Sequence, residues 1–105
     1  MAKIVCDNAG RALYFSRSPI PFYRQPVTTE MVYYKHVGIY AFTTAALQKM
    51  VPLTPSFLEG AEKLEQLRFL QHGFRIDVAI ADSAPLSVDT LSDLERVRTF
   101  APNYL

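Results

Sequence analysis

The segment from Ser56 to Gly73 constrains the fold most, because it carries both a start and a stop signal for one long helix. Ser56 and Glu59 have the spacing of a capping box, in which each side chain bonds the other residue's backbone amide. Gly73 can adopt the left-handed conformation that ends many helices. Glu59 and Lys63 are spaced for an outward i,i+4 ion pair. We therefore predict a single helix over residues 57–72.

Two charged residues interrupt the apolar face of this predicted helix. At about 100° per residue, Phe57, Ala61 and Leu64 share one face. Glu65 and Arg68 project onto the same face, where charged groups are rarely buried unless paired. An i,i+3 ion pair between them is the structural interpretation. The alternative is that they lie at the edge of a cleft or face a ligand.

Shorter apolar runs predict the strands. Residues 3–6 and 11–15 flank the turn-forming sequence Asp-Asn-Ala-Gly, so they predict a β-hairpin. Residues 33–42 and 75–81 alternate between apolar and other residues, which predicts two further strands.

Two shorter helices complete the predicted fold. A helix over 44–51 follows a threonine cap and ends before Pro52. A helix over 91–101 follows a second capping box, Thr90 with Asp93. With 105 residues, we expect one α/β domain with a small mixed sheet, a β-hairpin and about three helices.

Residues 16–26 contain three prolines and two arginines. The prolines exclude a helix and a central strand, so we predict an extended loop. Arg17 and Arg24, together with the aromatic residues beside them, suit a planar or anionic ligand. The alternative is that the rings cover an edge of the core while the arginines are solvated.

Three polar positions elsewhere are candidates for ligand contact. Within the predicted strand 33–42, Gly38 suggests a close approach by another group, with His36 and Tyr40 on either side. A lone histidine is nevertheless more often a structural residue. Asp89 precedes a helix N-terminus, a place where α/β proteins bind ligands and metals, although it could equally serve as a helix cap.

Composition excludes several classes of function. The net charge of +1 gives no argument for nucleic acid or a membrane surface as partner. One cysteine excludes an internal disulfide, and no apolar run reaches the length of a membrane span. We expect a cytoplasmic protein. The four glycines are not clustered, so these residues contain no phosphate-binding loop of the usual kind.

Four ordered segments resemble one known family. They are ALYFSRSPIP (12–21), KHVGIY (35–40), EKLEQLR (62–68) and VDTLSDLERVR (88–98). In this order and spacing they are similar to the C-terminal portion of the 3-deoxy-manno-octulosonate cytidylyltransferases, or CMP-Kdo synthetases. The resemblance covers residues 3–100.

The resemblance implies a fold and an activity. The fold would be part of a three-layer nucleotide-diphospho-sugar transferase. The family activates the sugar acid Kdo with CTP, using Mg²⁺, to give CMP-Kdo and pyrophosphate for lipopolysaccharide biosynthesis, and it acts as a homodimer. The family's Pro-Ala-Arg and Ser-x-Arg-Leu-Pro-x-Lys-Pro-Leu segment for CTP and its Gln-Gly-Asp segment for metal are absent from these residues. The 105 residues therefore match the sugar-acid-binding and dimerisation half, and we expect no catalysis by them alone.

The resemblance also implies roles for individual residues. It assigns six residues to substrate binding: Arg17, Arg24, His36, Tyr40, Glu65 and Gln66. The arginines would bind the sugar-acid carboxylate and the others its hydroxyl groups. Asp89 would be a metal ligand. Ser87 and Leu91 depart from the glycine and proline that are usual in the family.

Two other interpretations stay open at this point. The chain could be a non-catalytic dimerisation or interaction module derived from this family, with residues 19–26 as the contact. It could also belong to a related enzyme for another sugar acid, such as sialic acid. Binding of a sugar-acid analogue separates the enzyme portion from the interaction module.

Overall fold

The computed structural model describes residues 1–25, 31–81 and 90–100. Within these ranges the chain forms three strands and four helices: β1 (Lys3–Cys6), β2 (Ala12–Ser16), β3 (Tyr34–Lys35), α1 (Thr44–Met50), α2 (Phe57–Glu62), α3 (Gln66–Gln71) and α4 (Leu91–Phe100). The predicted α/β class is confirmed. A fourth helix is present because the predicted long helix is divided into α2 and α3.

The strands form one antiparallel sheet in the order β2-β1-β3. The predicted hairpin is confirmed, and the Asp7 carboxylate fixes its turn by accepting hydrogen bonds from the amides of Ala9 and Arg11, both at 2.9 Å. The predicted mixed sheet is wrong for the described part of the chain. Residues 75–81 were expected to add a strand but contribute only an isolated antiparallel bridge, Arg11 to Asp77.

The predicted strand over 33–42 is much shorter in the structure. Only Tyr34 and Lys35 pair with β1. Beyond them the amide of Ile39 donates to the carbonyl of Val37 at 2.8 Å, a local bond that takes the backbone out of a sheet ladder. A Cβ on Gly38 would meet no described atom within 4 Å, so the expected close approach at this glycine is wrong.

The single helix predicted over 57–72 is also wrong. Its capping box is confirmed, since both the Ser56 and the Glu59 side chains make the expected bonds, and Gly73 has a φ of +88°. The helix stops at Lys63, which adopts the left-handed conformation with φ 56° and ψ 44°. The break redirects the chain, so that Leu67 is fully buried while Phe57, expected on the apolar face, is 79% exposed.

Arg68 pairs with Glu59 rather than with Glu65. Its guanidinium donates from Nε and Nη2 to the two carboxylate oxygens of Glu59, at 2.8 and 2.6 Å. This parallel pair of bonds has the bidentate geometry in which arginine binds carboxylates strongly. It joins α2 to α3 across the break, so both predicted helical pairs, Glu65 with Arg68 and Glu59 with Lys63, are wrong.

The core lies between the sheet and the pair of helices α2 and α3. Its buried members are Ala2, Ile4, Phe15, Leu64 and Leu67. Half-buried apolar residues from β2, α2, α3 and the 76–78 segment pack around them. The sheet thereby presents β2 and the end of β3 to α3, and the candidate site forms along this contact.

The other predicted helices and the loop are largely confirmed. Thr43 caps α1, and Thr90 and Asp93 form the capping box of α4. Residues 17–25 contain neither helix nor strand, as the prolines predicted, and residue 26 lies outside the described ranges. None of the helices in the described part of the chain combines the length and apolar character that crossing a membrane requires.

Candidate functional site

His36 and Tyr40 form a hydrogen-bonded pair at the end of β3. The His36 Nε2 and the Tyr40 hydroxyl are 2.5 Å apart. The His36 amide donates to the carbonyl of Ala2 at 2.9 Å, and its ring stands edge-on to Phe15 with centroids 5.1 Å apart. Burial lowers the pKa of His36. The imidazole is therefore held neutral on top of the core.

A row of aromatic rings connects this pair to α3. Tyr40 stacks on Phe42 with centroids 6.1 Å apart, and Phe42 contacts the edge of Phe69 at 6.3 Å. Burial and the negative charge of Glu65 raise the pKa of Tyr40 to about 12. Glu65 therefore lies within electrostatic reach of Tyr40, although the two are far apart in the sequence.

Gln66 is the first residue of α3 and is only 7% exposed. Its Nε2 has no hydrogen-bond partner among the described residues. A buried polar group without a partner costs free energy, so each such group calls for an explanation, for example a ligand. An amide nitrogen here can donate to a hydroxyl or carboxylate oxygen of a bound molecule.

Arg17 lies beside the start of α3 but its guanidinium is engaged by the backbone. Nε donates to the carbonyl of Glu62 at 2.7 Å and Nη2 to the carbonyl of Lys63 at 2.8 Å. Arg24, on the same loop, has an exposed side chain. The structure therefore brings His36, Tyr40 and Glu65 together, with Gln66 next in the chain. It gives Arg17 a backbone contact.

Sequence reasoning missed Ser16 and Glu62. The Glu62 carboxylate accepts from the Ser16 hydroxyl at 3.0 Å and from the Arg17 amide at 2.9 Å. Burial alone would raise the pKa of Glu62, but these bonds and one from Tyr14 lower it. The partners are about 45 residues apart in sequence, so no local spacing signals the contact.

The described residues do not form a metal centre. They contain no group of three or more His, Cys, Asp or Glu side chains arranged to hold a metal ion. Asp89, the predicted metal ligand, lies outside the described residues. We therefore derive no step through a metal from this structure.

A shallow depression of about 360 Å³ lies beside α2. It is lined by Pro55, Glu59, Gly60, Lys63 and Glu65. Among the predicted site residues only Glu65 contributes to it. The depression therefore borders the aromatic cluster rather than coinciding with it.

The buried imidazole of His36 makes folding pH-dependent. Its pKa is lowered from 6.5 in the folded chain, so the unfolded chain binds the proton more readily. The stabilisation is complete above pH 6.5 and is lost as the pH falls through the folded pKa. We expect a smaller free energy of unfolding by urea at about pH 5.5 than at about pH 7.5, a range that lies above ordinary carboxylate pKa values.

His36→Gln removes the titrating group and is expected to reduce this pH difference. His72→Gln is the matched control, since it removes the other histidine, which lies on the surface. An unchanged pH difference in the His36 variant would contradict the prediction.

Comparison with known proteins gives the chain its relatives. The family model described as Cytidylyltransferase matches residues 1–77. The 3-deoxy-manno-octulosonate cytidylyltransferase of Dichelobacter nodosus is 53% identical over 97 residues, which are 91% of this chain and 40% of that protein. The enzyme of the same name from Bartonella quintana is 55% identical over 92 residues, or 88% of this chain and 35% of that protein.

A solved structure agrees with these matches. It is CMP:2-keto-3-deoxy-manno-octonic acid synthetase complexed with CTP, and it superposes with a TM-score of 0.86 at 42% identity. The superposition covers 99% of this chain and 42% of the solved chain. The chain thus spans about 40% of the length of these relatives. The resemblance drawn from the four sequence segments is confirmed, and the chain belongs to the cytidylyltransferase family, with CMP-Kdo synthetases among its relatives.

Proposed function

We propose that the chain is the sugar-acid-binding portion of a 3-deoxy-manno-octulosonate cytidylyltransferase, which makes CMP-Kdo and pyrophosphate from Kdo and CTP for lipopolysaccharide biosynthesis. One observation carries the proposal. His36 and Tyr40 are hydrogen-bonded to each other, Glu65 acts electrostatically on Tyr40, and Gln66 beside it has a buried amide nitrogen with no partner in the described ranges.

The cluster offers the chemistry that a polyhydroxylated acid requires. A carboxylate accepts hydrogen bonds from hydroxyl groups, while a side-chain amide both donates and accepts. The neutral imidazole and the phenol can each exchange hydrogen bonds with a sugar hydroxyl without placing a charge in the cleft. Arg24 is our candidate for binding the sugar-acid carboxylate, since a guanidinium can bind both oxygens at once.

We assign these residues to binding and orientation of the sugar acid. In nucleotidyl transfer the attacking hydroxyl must lie in line with the α-phosphate, and holding it there accounts for much of the rate. A Tyr40 pKa of about 12 keeps its hydroxyl protonated near neutral pH, where it acts as a hydrogen-bond partner. We keep Asp89 as a proposed Mg²⁺ ligand on the resemblance alone; bound Mg²⁺ would offset negative charge on the phosphates.

A pyrophosphate-release assay tests the proposal's division of labour. The solved relative was complexed with CTP, yet these 105 residues contain none of the family's CTP-binding segments. We expect no pyrophosphate release by the purified chain with CTP, Kdo and Mg²⁺. The full-length relative from Dichelobacter nodosus serves as the positive control. Turnover by the chain itself, with host enzyme excluded, would contradict the proposal.

Binding of Kdo separates the proposal from the alternative function. Isothermal titration of the chain with Kdo should give weak, saturable binding that His36→Phe and Glu65→Gln each reduce. Each lost charge-assisted contact corresponds to roughly 1.5–3 kcal/mol in a formed pocket. Absence of binding would favour an interaction module without a sugar-acid site.

We further propose that the chain pairs as a twofold dimer through the loop 19–25. Phe22 in this loop is 85% exposed, and exposed apolar groups favour association. We expect a dimer mass in sedimentation equilibrium at micromolar concentration, and a shift toward monomer for Phe22→Ser. Phe57→Ser is the control, because Phe57 is 79% exposed but lies on α2. A monomer mass for the parent chain would contradict the proposal.

A further inference from the structure

Arg17 caps the corner between α2 and α3, which we define as residues 62–65. Its guanidinium binds the carbonyl oxygens of Glu62 and Lys63, at 2.7 and 2.8 Å. Glu62 is the last residue of α2 and Lys63 is its C-cap. Carbonyl groups at a helix C-terminus lack partners within the helix, so Arg17 supplies the donors that this end needs.

The same two segments are joined in the opposite direction. The Glu62 carboxylate accepts from the Arg17 amide at 2.9 Å and from the Ser16 hydroxyl at 3.0 Å. Ser16 is the last residue of β2 and is buried. The corner is therefore fixed to the end of a core strand by backbone and side-chain bonds from both sides.

The corner needs such support because its conformation is locally unfavourable. Lys63 has a φ of +56°, and in this region the Cβ of an L-residue crowds the backbone. The neighbouring lysine, leucine, glutamate and glutamine residues are all good helix formers. In isolation this sequence favours a continuous helix, so the tertiary contacts of Arg17 hold it bent.

The direction of α3 depends on this bend. Glu65 and Gln66 lie at the start of α3, and Phe69 on the same helix contacts Phe42. A continuous helix would rotate these side chains relative to the residues that follow β3. Their position beside His36 and Tyr40 therefore requires the bent corner.

We infer that Arg17 is a positioning residue, which holds the corner so that Glu65 and Gln66 face a sugar acid beside the His36–Tyr40 pair. This inference rests on the proposed function for the identity of the ligand. It replaces the direct carboxylate contact that the family resemblance implied for Arg17. Arg24 is left as the arginine for the carboxylate.

A glycine at position 63 distinguishes positioning from direct contact. Glycine adopts the left-handed conformation without steric cost and disfavours a continuous helix. Lys63→Gly should therefore restore the bent corner when Arg17 is replaced by alanine. If Arg17 instead touches the ligand, glycine at position 63 cannot supply the missing guanidinium.

The first test uses the ligand-free chain in solution. We expect Arg17→Ala to weaken the nuclear Overhauser contacts between the rings of Phe42 and Phe69 and to shift the amide signals of residues 64–67. The double variant with Lys63→Gly should recover both. Arg98→Ala, which removes an exposed guanidinium on α4, should change neither. Unchanged signals in Arg17→Ala, or no recovery in the double variant, would overturn the inference.

Arg17→Lys provides a second variant if the alanine variant fails to fold. Lysine keeps the charge but lacks the planar fork that binds two acceptors together. We expect a folded chain, recognised by the amide signals of the β1–β2 hairpin, with the same changes at residues 64–67. A folded lysine variant with parent-like signals in this segment would overturn the inference.

The second test measures Kdo binding in both backgrounds. Arg17→Ala should weaken binding about tenfold or more, the equivalent of one charge-assisted bond. In the Lys63→Gly background the same replacement should change binding by no more than about twofold, the usual scatter for independent sites. An equal loss in both backgrounds would overturn the inference. If the parent chain does not bind Kdo, the proposed function fails, and the ligand-free test alone decides the role of Arg17.

Discussion

Replacing Phe15 by alanine is expected to lower the free energy of unfolding by about 3–5 kcal/mol, the range for large buried aromatic residues. Phe15 is 1% exposed at the centre of the core, and it supports the ring of His36 at 5.1 Å. The cavity left by the ring would therefore weaken the core and the candidate site together. Domains of this size are stable by only about 5–15 kcal/mol, so the loss is a large part of the total.

Urea unfolding followed by circular dichroism measures this effect. Leu13→Ala is the matched control, because Leu13 lies on the same strand but is 61% exposed. It should change the free energy of unfolding by no more than about 0.5 kcal/mol. A loss below about 1 kcal/mol for Phe15→Ala would show that the core does not depend on this ring.

Gln66→Leu is expected to have opposite effects on stability and on binding. The Gln66 Nε2 is buried and has no partner in the described part of the chain. Removing an unsatisfied buried donor relieves a cost of about 1–3 kcal/mol, so the leucine variant should be more stable to urea. The same change removes the donor that we assign to the sugar acid, and Kdo should bind about tenfold more weakly.

The opposite signs make this prediction specific. Gln48→Leu is the control, since Gln48 lies exposed on α1 and should alter neither property. A destabilised Gln66 variant would show that the amide is satisfied within the folded chain. A more stable variant with parent-like Kdo binding would remove Gln66 from the site.

The sequence alone determined the local features and the family. Caps and turns depend on residues within a few positions of each other, so Ser56, Glu59 and Gly73 could be assigned before the fold was known. The hairpin turn at Asp7 and the capping box at Thr90 are confirmed for the same reason. The four ordered segments were enough to identify the cytidylyltransferase relatives, because their spacing reflects a common fold.

The length of the strands could not be judged in this way. Alternation over 33–42 and 75–81 predicts strands, but a strand also needs a partner edge along its length. Within the described ranges, β1 pairs only with Tyr34 and Lys35 beyond the hairpin, and Arg11 forms a single bridge to Asp77. The available edges, which only the folded chain defines, decided how far each segment pairs.

Only the tertiary structure decided the bend at Lys63. Local propensity favours one straight helix, and a left-handed lysine is unfavourable by itself. Burial of Leu64 and Leu67, the Arg17 contacts and the Glu59–Arg68 pair together offset that cost. All of these contacts depend on the folded arrangement of α2 and α3, which places Gln66 in the buried position from which a ligand can be bound.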